Sequence, residues 1–440
     1  MLSACQSVNA FTFTSIHHRH AGHERLRSVA VSDTGEVGLN EESVAALGPL
    51  LGEYLNYYKL CFSWSAQQRN AEIYIKGLLS DFDRKSVEPI ALRYLDEKAV
   101  RTLQQFQKDA PWDDAQMKRL YQARIIDAFS DPEGMLTIDG SDFVKKGTHS
   151  AGVARQYCGR LGKVENCQAG VFIGYAGNNG YGLLDSALYL PKAWFDETHS
   201  ARRQKCDIPE DVTFRTKSQL ALDMIAQIQN HHALPFKWVG CDSAFGCDAN
   251  FRASLPESTY FFADVRSNQR VFLTRPEWSI PERTNNRGRA PSVARASQKP
   301  QAVATVSADE SIPWKEVIME GSKGLVCAQV KCCRVIECVD GTDGEELWLY
   351  IRKHENGEIK YALSNAPWDT EEHLLHRCAT LRWPIEQSFQ ECKSHLGMSD
   401  YETRSYTAWH RHMLLVMIAF LFVLEVRQMF ANDHRKVSHH

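Results

Sequence analysis

Asp139 in MLTIDGSDF, Asp242 in WVGCDSAFG and Glu386 in RWPIEQSFQECK are the residues best placed to do chemistry. Asp139 and Asp242 each close a short apolar run, and Glu386 lies in a stretch with helical patterning. Carboxylates placed this way can converge and hold two divalent cations about 3.5–4 Å apart. Such a pair activates water or a 3′-hydroxyl and stabilises the leaving oxygen of a phosphodiester, the chemistry of cutting and rejoining DNA strands.

Neighbouring acids compete for these roles. Asp142 follows Asp139 by three residues, an odd offset that faces the other side of a strand; Asp139 is favoured because it directly follows the apolar run. Glu391 lies five residues beyond Glu386, about 140° around a helix. Asp248 reads as a helix-surface residue. Arg382, Glu386 and Lys393 fall at i, i+4 and i+11, which returns to one helix face after about three turns. A salt bridge would account for Arg382 and Glu386. Phosphoryl transfer would give Glu386 to the metal site and Arg382 and Lys393 to flanking phosphates. Pro384 falls in the first turn, where its missing N–H costs nothing.

A cationic cluster follows the first acid. Lys145, Lys146, Arg155, Arg160 and Lys163 are interleaved with Gly147, Gly152, Gly159 and Gly162. Glycine lets backbone approach phosphates and the cations neutralise them. This stretch reads as a DNA-contacting loop, with Tyr157 and His149 to stack on or hydrogen-bond to the nucleic acid; the competing reading is a solvated loop. Arg202, Arg203 and Lys205 make another basic patch. Trp314 and Trp348 read as core aromatics, with stacking on an unpaired base the alternative.

The elements that must position these residues change in character along the chain. Residues 1–35 read as a disordered tail without a secretory h-region. Residues 36–130 carry helical spacing, with Trp112-Asp113-Asp114 opening a helix, and form either a packing platform or a DNA-binding domain. From Met135 the period becomes that of strands. Leu136-Thr137-Ile138 leads into Asp139; 168–175 and 183–190 follow, joined by the turn AGNNG. A helix over 217–230, a strand ending at Asp242 and a strand over 258–265 complete residues 131–265. This order matches a ribonuclease-H-like core, in which the strands of Asp139 and Asp242 are neighbours. Residues 266–299 carry eight basic residues against Glu277 and Glu282, read as a phosphate-contacting arm or a solvated linker. Strand-like alternation over 314–363 places a β-rich insertion within 266–375. Residues 376–430 return to the core with the helix of Glu386, and 431–440 form a tail.

Composition sets limits on the function. The 440 residues are 43% apolar and 24% charged, enough for two or three domains with a substantial core. Net charge is −3, so positive charge for a nucleic acid must be local. The 13 cysteines form no CxxC pair, which argues against a disulfide framework and fits a reducing, cytoplasmic setting. Cys327, Cys332, Cys333 and Cys338 lie in a strand-like stretch, against the ligand spacing of structural zinc. The apolar run Met413 to Leu424 is too short for a bilayer and reads as a buried helix, so no membrane partner is expected.

IDGSDFVKKGTHSAGVARQYCGRLGKVENCQAGVFIGY, WVGCDSAFG and RWPIEQSFQECKSHLGMSDYETRSYTAWHRHM resemble the three catalytic blocks of insertion-sequence 701 family transposases, DDE-superfamily endonucleases of bacterial mobile elements. The likeness runs from about residue 40 to 430. The third block also resembles the Tyr-Arg-Glu-Lys signature of the insertion-sequence 4 group, with Ala379 in the place of the tyrosine. The resemblance implies an α/β fold: a ribonuclease-H-like mixed sheet flanked by helices, with an N-terminal helical domain and a β-rich insertion. It implies Asp139, Asp242 and Glu386 as ligands of two Mg²⁺ ions, with Mn²⁺ able to substitute. Its partners would be double-stranded DNA, as terminal inverted repeats and target, and a second copy of the chain on paired ends. Two alternatives are a metal-dependent nuclease that does not rejoin ends and a catalytically silent DNA-binding descendant.

Overall fold

The computed structural model describes residues 41–437 apart from 283–291 and 322–323, together with a short strand pair at Leu2–Ser3 and Thr12–Phe13. The expectation of a disordered tail, and the arm residues Arg283, Arg287 and Arg289, lie outside the described residues. Five helices come first: α1 (Glu41–Asn56), α2 (Ser65–Leu78), α3 (Val87–Tyr94), α4 (Ala99–Lys108) and α5 (Asp114–Phe129). Strands β1 (Met135–Val144), β2 (Ala154–Cys158), β3 (Lys163–Gly177) and β4 (Gly180–Tyr189) follow, then helix α6 (Lys217–His231). Next come β5 (Trp238–Cys241), β6 (Tyr260–Val265), β7 (Arg270–Phe272), β8 (Lys315–Gly321), β9 (Gly324–Val339), β10 (Thr342–Lys353) and β11 (Ile359–Ser364). Helices α7 (Glu372–Leu381), α8 (Pro384–His395) and α9 (Tyr406–Val437) close the chain. The fold is mixed α/β, a large mixed sheet flanked by helices.

The chain divides into two compact units. One comprises Met1–Ser130, Gly140–Leu234 and Ile385–His440; the other Asp131–Asp139 and Pro235–Pro384. The first unit is organised by α9. Met413 to Leu424 is apolar on every side, and the helix is accordingly buried, as its sequence indicates. Arg411 is buried in this core. Arg411 lies over the Trp112 ring at 4.5 Å and bonds Asp114 at 2.8 Å, so its charge is paired and its planar face packed. Asp113 caps α5 by accepting the Gln116 N–H at 2.8 Å, the helix start read from the sequence. Strands β3 and β4 pair antiparallel, and their turn closes at Gly177 opposite Gly180, whose φ of +143° demands glycine. The stretch read as a cationic loop is partly a hairpin instead: β2 pairs antiparallel with the start of β3. A short polar strand flanked by Gly152, Gly159 and Gly162 lacks the apolar alternation that marks a strand, so the sequence pattern hid it.

The second unit is built on three parallel strands. β5 pairs with the first half of β1 and with β6. Met135 to Ile138 and all of β5 are buried on both faces, which is why they read as continuous apolar runs. From β6 the sheet continues antiparallel through β11, β10 and β9, with β7 and β8 both pairing with β9. The expected β-rich insertion therefore extends the sheet that carries the aspartates. Helix α7 packs Leu375, Cys378 and Ala379 against Met135, Trp238, Phe262 and Tyr350.

Candidate active site

Asp139 and Asp242 are brought together by strand register. The parallel ladder between β1 and β5 runs from Met135 opposite Trp238 to Ile138 opposite Cys241. One step further along both strands stand Asp139 and Asp242, on chains that lie about 4.8 Å apart in a sheet. Asp242 is also the N-cap of the short helix Ser243–Gly246, its Oδ1 accepting the N–H of Ala244 at 3.0 Å and of Phe245 at 3.4 Å. The cap fixes the carboxylate direction at the strand tip. Two hard oxygen donors side by side suit Mg²⁺, which prefers carboxylates and retained water.

Sequence reasoning missed a third acid in this row. The ladder between β5 and β6 ends with Cys241 opposite Ala263, so Asp264 follows at the level of Asp242. Its signal was present in STYFFADV, another apolar run that closes on aspartate. Asp264 accepts from Arg382 Nε at 2.9 Å. Arg352 and Lys360, opposite each other on β10 and β11, bring two more cations toward the same carboxyl. Burial raises the Asp264 pKa, and Arg382, Lys360 and Arg352 oppose that shift only in part.

Arg382 therefore does not share a helix with Glu386, contrary to the stripe read from spacing. It ends α7 as the C-cap, and α8 begins at Pro384. Proline disfavours helical backbone at the residue before it and cannot donate the N–H that a continuous helix would need, so the two helices break there. Pro384 does occupy the first turn of α8, as expected. Glu386 is half-buried in that first turn and belongs to the first unit. Among the described residues, no three His, Cys, Asp or Glu side chains are gathered as a group that would hold a metal ion.

The competitors are engaged elsewhere. Glu391 is buried against Arg427 at 2.7 Å and Gln387 at 3.0 Å, a structural ion pair. Asp142 accepts the Gly159 N–H at 2.7 Å. Asp248 is a helix cap rather than a helix-surface residue, accepting from Phe251 N at 3.1 Å.

The predicted DNA-contacting cations divide into two kinds. Lys145 is engaged within the fold: its ammonium donates to the Tyr401 carbonyl at 3.1 Å and lies 3.5 Å from the centre of that ring. Burial lowers its pKa to about 8. Lys393 is half-buried over Phe143 and Phe389, at 5.5 and 5.9 Å. Lys146, Arg155, Tyr157, Arg160 and Lys163 are exposed, the last four on the hairpin of β2 and β3. Arg202 and Arg203 lie over Trp194 and Phe195. Trp348 donates to the Pro367 carbonyl at 2.9 Å, and Lys331 lies over Trp314 at 4.8 Å.

A curated relative, "Probable transposase for insertion sequence element IS701" from Microchaete diplosiphon, is 29% identical over 223 residues, 50% of this chain and 54% of the relative. The chain thus matches about half the length of that relative. The NurA nuclease of Sulfolobus solfataricus overlaps 73% of this chain and 92% of its own at 9% identity, but a TM-score of 0.24 carries no argument. The family described as DDE superfamily endonuclease matches residues 58–325, a span that includes Asp139, Asp242 and Asp264 and ends before Glu386. With that match over more than half of its length, the chain belongs to the DDE superfamily endonucleases.

Proposed function

We propose that this protein is a DNA transposase of a bacterial insertion sequence, cleaving element ends and joining them to target DNA. The observation that carries the reading is the parallel register that brings Asp139, midway along β1, level with Asp242 at the end of β5. The family match and the similarity to a probable insertion-sequence transposase support it. In this reading Asp139, Asp242 and Glu386 would hold two Mg²⁺ ions, or Mn²⁺ in their place. When bound, the ions would supply Lewis acidity and an activated water or 3′-hydroxyl.

The chain's own residues do the rest. The cap at Asp242 holds one carboxylate oxygen toward the short helix and so orients the group before substrate arrives. Arg155, Arg160 and Lys163 neutralise duplex phosphates. Two copies act on paired ends, one cleaving centre for each.

The test is cleavage of supercoiled plasmid carrying the DNA that flanks the gene on both sides, with Mg²⁺, by Asp139→Ala, Asp242→Ala and Glu386→Ala proteins. Each single change is expected to abolish cleavage while end binding persists. Full cleavage by Glu386→Ala would remove that residue from the site. Strand transfer with pre-cut ends separates the transposase from a nuclease that does not rejoin, and an inactive wild-type protein that still binds ends would mark a silent descendant.

A further inference from the structure

We propose that the 154–167 hairpin is a DNA wedge: Tyr157 and Leu161 enter a groove of duplex DNA and partly unstack a base step, while Arg155, Arg160 and Lys163 hold the flanking phosphates. The proposal deepens the reading of the chain as a DNA-acting enzyme and rests on it.

Tyr157 and Val164 form an exposed apolar pair on the outer face of the hairpin, beside the polar pair of Arg155 and Asn166. Tyr157 is 64% exposed, and Val164, directly opposite it in the register, is 54% exposed. Leu161, in the turn, is 43% exposed. The inner face is closed by Cys158 and Cys167, both fully buried, so the outer side chains cannot turn into the core. An apolar patch ringed by charge marks an interaction surface. The ring here is cationic. Arg155 shares the Tyr157 face, Arg160 precedes Leu161 in the turn, and Lys163, opposite Cys158 on the other face, is exposed at the end of the hairpin. Glu165 is the acid on this segment, 3.4 Å from Lys163. Positive charge around exposed tyrosine and leucine complements a polyanion whose interior is apolar, which is duplex DNA. Apolar side chains inserted between base steps, with Arg and Lys on the phosphates, are how architectural proteins kink a duplex.

The hairpin is braced for that task. The Gly159 N–H donates to Asp142 Oδ2 at 2.7 Å, tying the turn to β1 three residues after Asp139. Gly162 closes the turn at φ +63°, a conformation that glycine adopts without strain. At the base, Asn166 Nδ2 donates to the carbonyls of Lys145 at 2.6 Å and Gly147 at 3.0 Å. Little ordering entropy remains to be lost on DNA contact.

A wedge prefers DNA whose unstacking has already happened. The experiment compares binding of the full-length protein, in EDTA, to a 30-base-pair duplex and to the same duplex with one central mismatch. The wild type is expected to bind the mismatched duplex roughly tenfold more tightly, because unstacking a step costs a few kcal/mol. Tyr157→Ala/Leu161→Ala is expected to lose that preference while keeping its thermal melt and the salt dependence of binding. Arg155→Ala, Arg160→Ala and Lys163→Ala are each expected to lower the slope of log K against log salt by about 0.9 and leave the preference intact. Equal binding of both duplexes by the wild type, or a preference that survives the double substitution, would overturn the wedge. Binding in EDTA needs no cleavage, so failure of the catalytic assignment leaves this result readable.

Discussion

Replacing Arg382 by methionine separates two roles for that residue. Its spacing from Glu386 suggests a phosphate clamp, whereas the fold ties it to Asp264 at 2.9 Å with side-chain exposures of 8% and 20%. Methionine keeps most of the volume and removes the charge. Asp264 then loses its ion-pair partner in a partly buried place, a cost of about 3–5 kcal/mol when one member of a buried pair is deleted. Arg352 and Lys360 still act on the same carboxyl, so the low end of that range is expected. For a folding unit of about 150–250 residues, a loss of about 3 kcal/mol lowers Tm by roughly 6–12 °C. Differential scanning calorimetry at pH 7 reads this directly. Adding Asp264→Asn to the methionine variant removes the stranded charge and is expected to restore most of the loss. An unchanged melt, with a salt slope of DNA binding reduced by about 0.9, is the signature of a guanidinium that serves phosphate alone and would refute the structural role.

Asp242→Asn keeps a side-chain oxygen for the Ala244 and Phe245 N–H groups, so it is expected to melt like the wild type yet lose cleavage; Asp242→Ala should lose cleavage and about 1 kcal/mol more of stability with the cap. Wild-type cleavage by the asparagine variant would contradict the assignment. Acid should destabilise the first unit through two buried histidines. Burial lowers His410 to a pKa of about 4, with its Nδ1 held on the Tyr406 carbonyl, and lowers His412 to about 3, beside the Tyr74 hydroxyl. A depressed histidine leaves stability intact above the unfolded pKa of about 6.5, and stability falls below it as the unfolded chain takes up protons. At pH 5 the loss is roughly 2 kcal/mol for each histidine, and His410→Gln should halve the drop in Tm between pH 7 and pH 5. Equal melting temperatures for the wild type at those two pH values would exclude this.

The strands of Asp139 and Asp242 were legible because burial on both faces writes a continuous apolar run, and an acid closing such a run marks where that two-sided burial ends. That logic gave Asp139 and Asp242 their places, and the same pattern in STYFFADV points to Asp264 once it is sought. The buried helix at Met413 to Leu424 and the caps at Asp113 and Pro384 were equally local signals. Tertiary structure decided what no spacing could. It set Asp264 level with Asp242 by a third parallel strand, and it broke the supposed Arg382–Glu386 helix so that the arginine turns to Asp264. It also drew Lys145 onto Tyr401 while leaving Arg155, Tyr157 and Arg160 outside. The physical reason is one of range: burial periodicity and capping act over a few residues, whereas the partner of a charge is chosen by chain segments more than a hundred positions away.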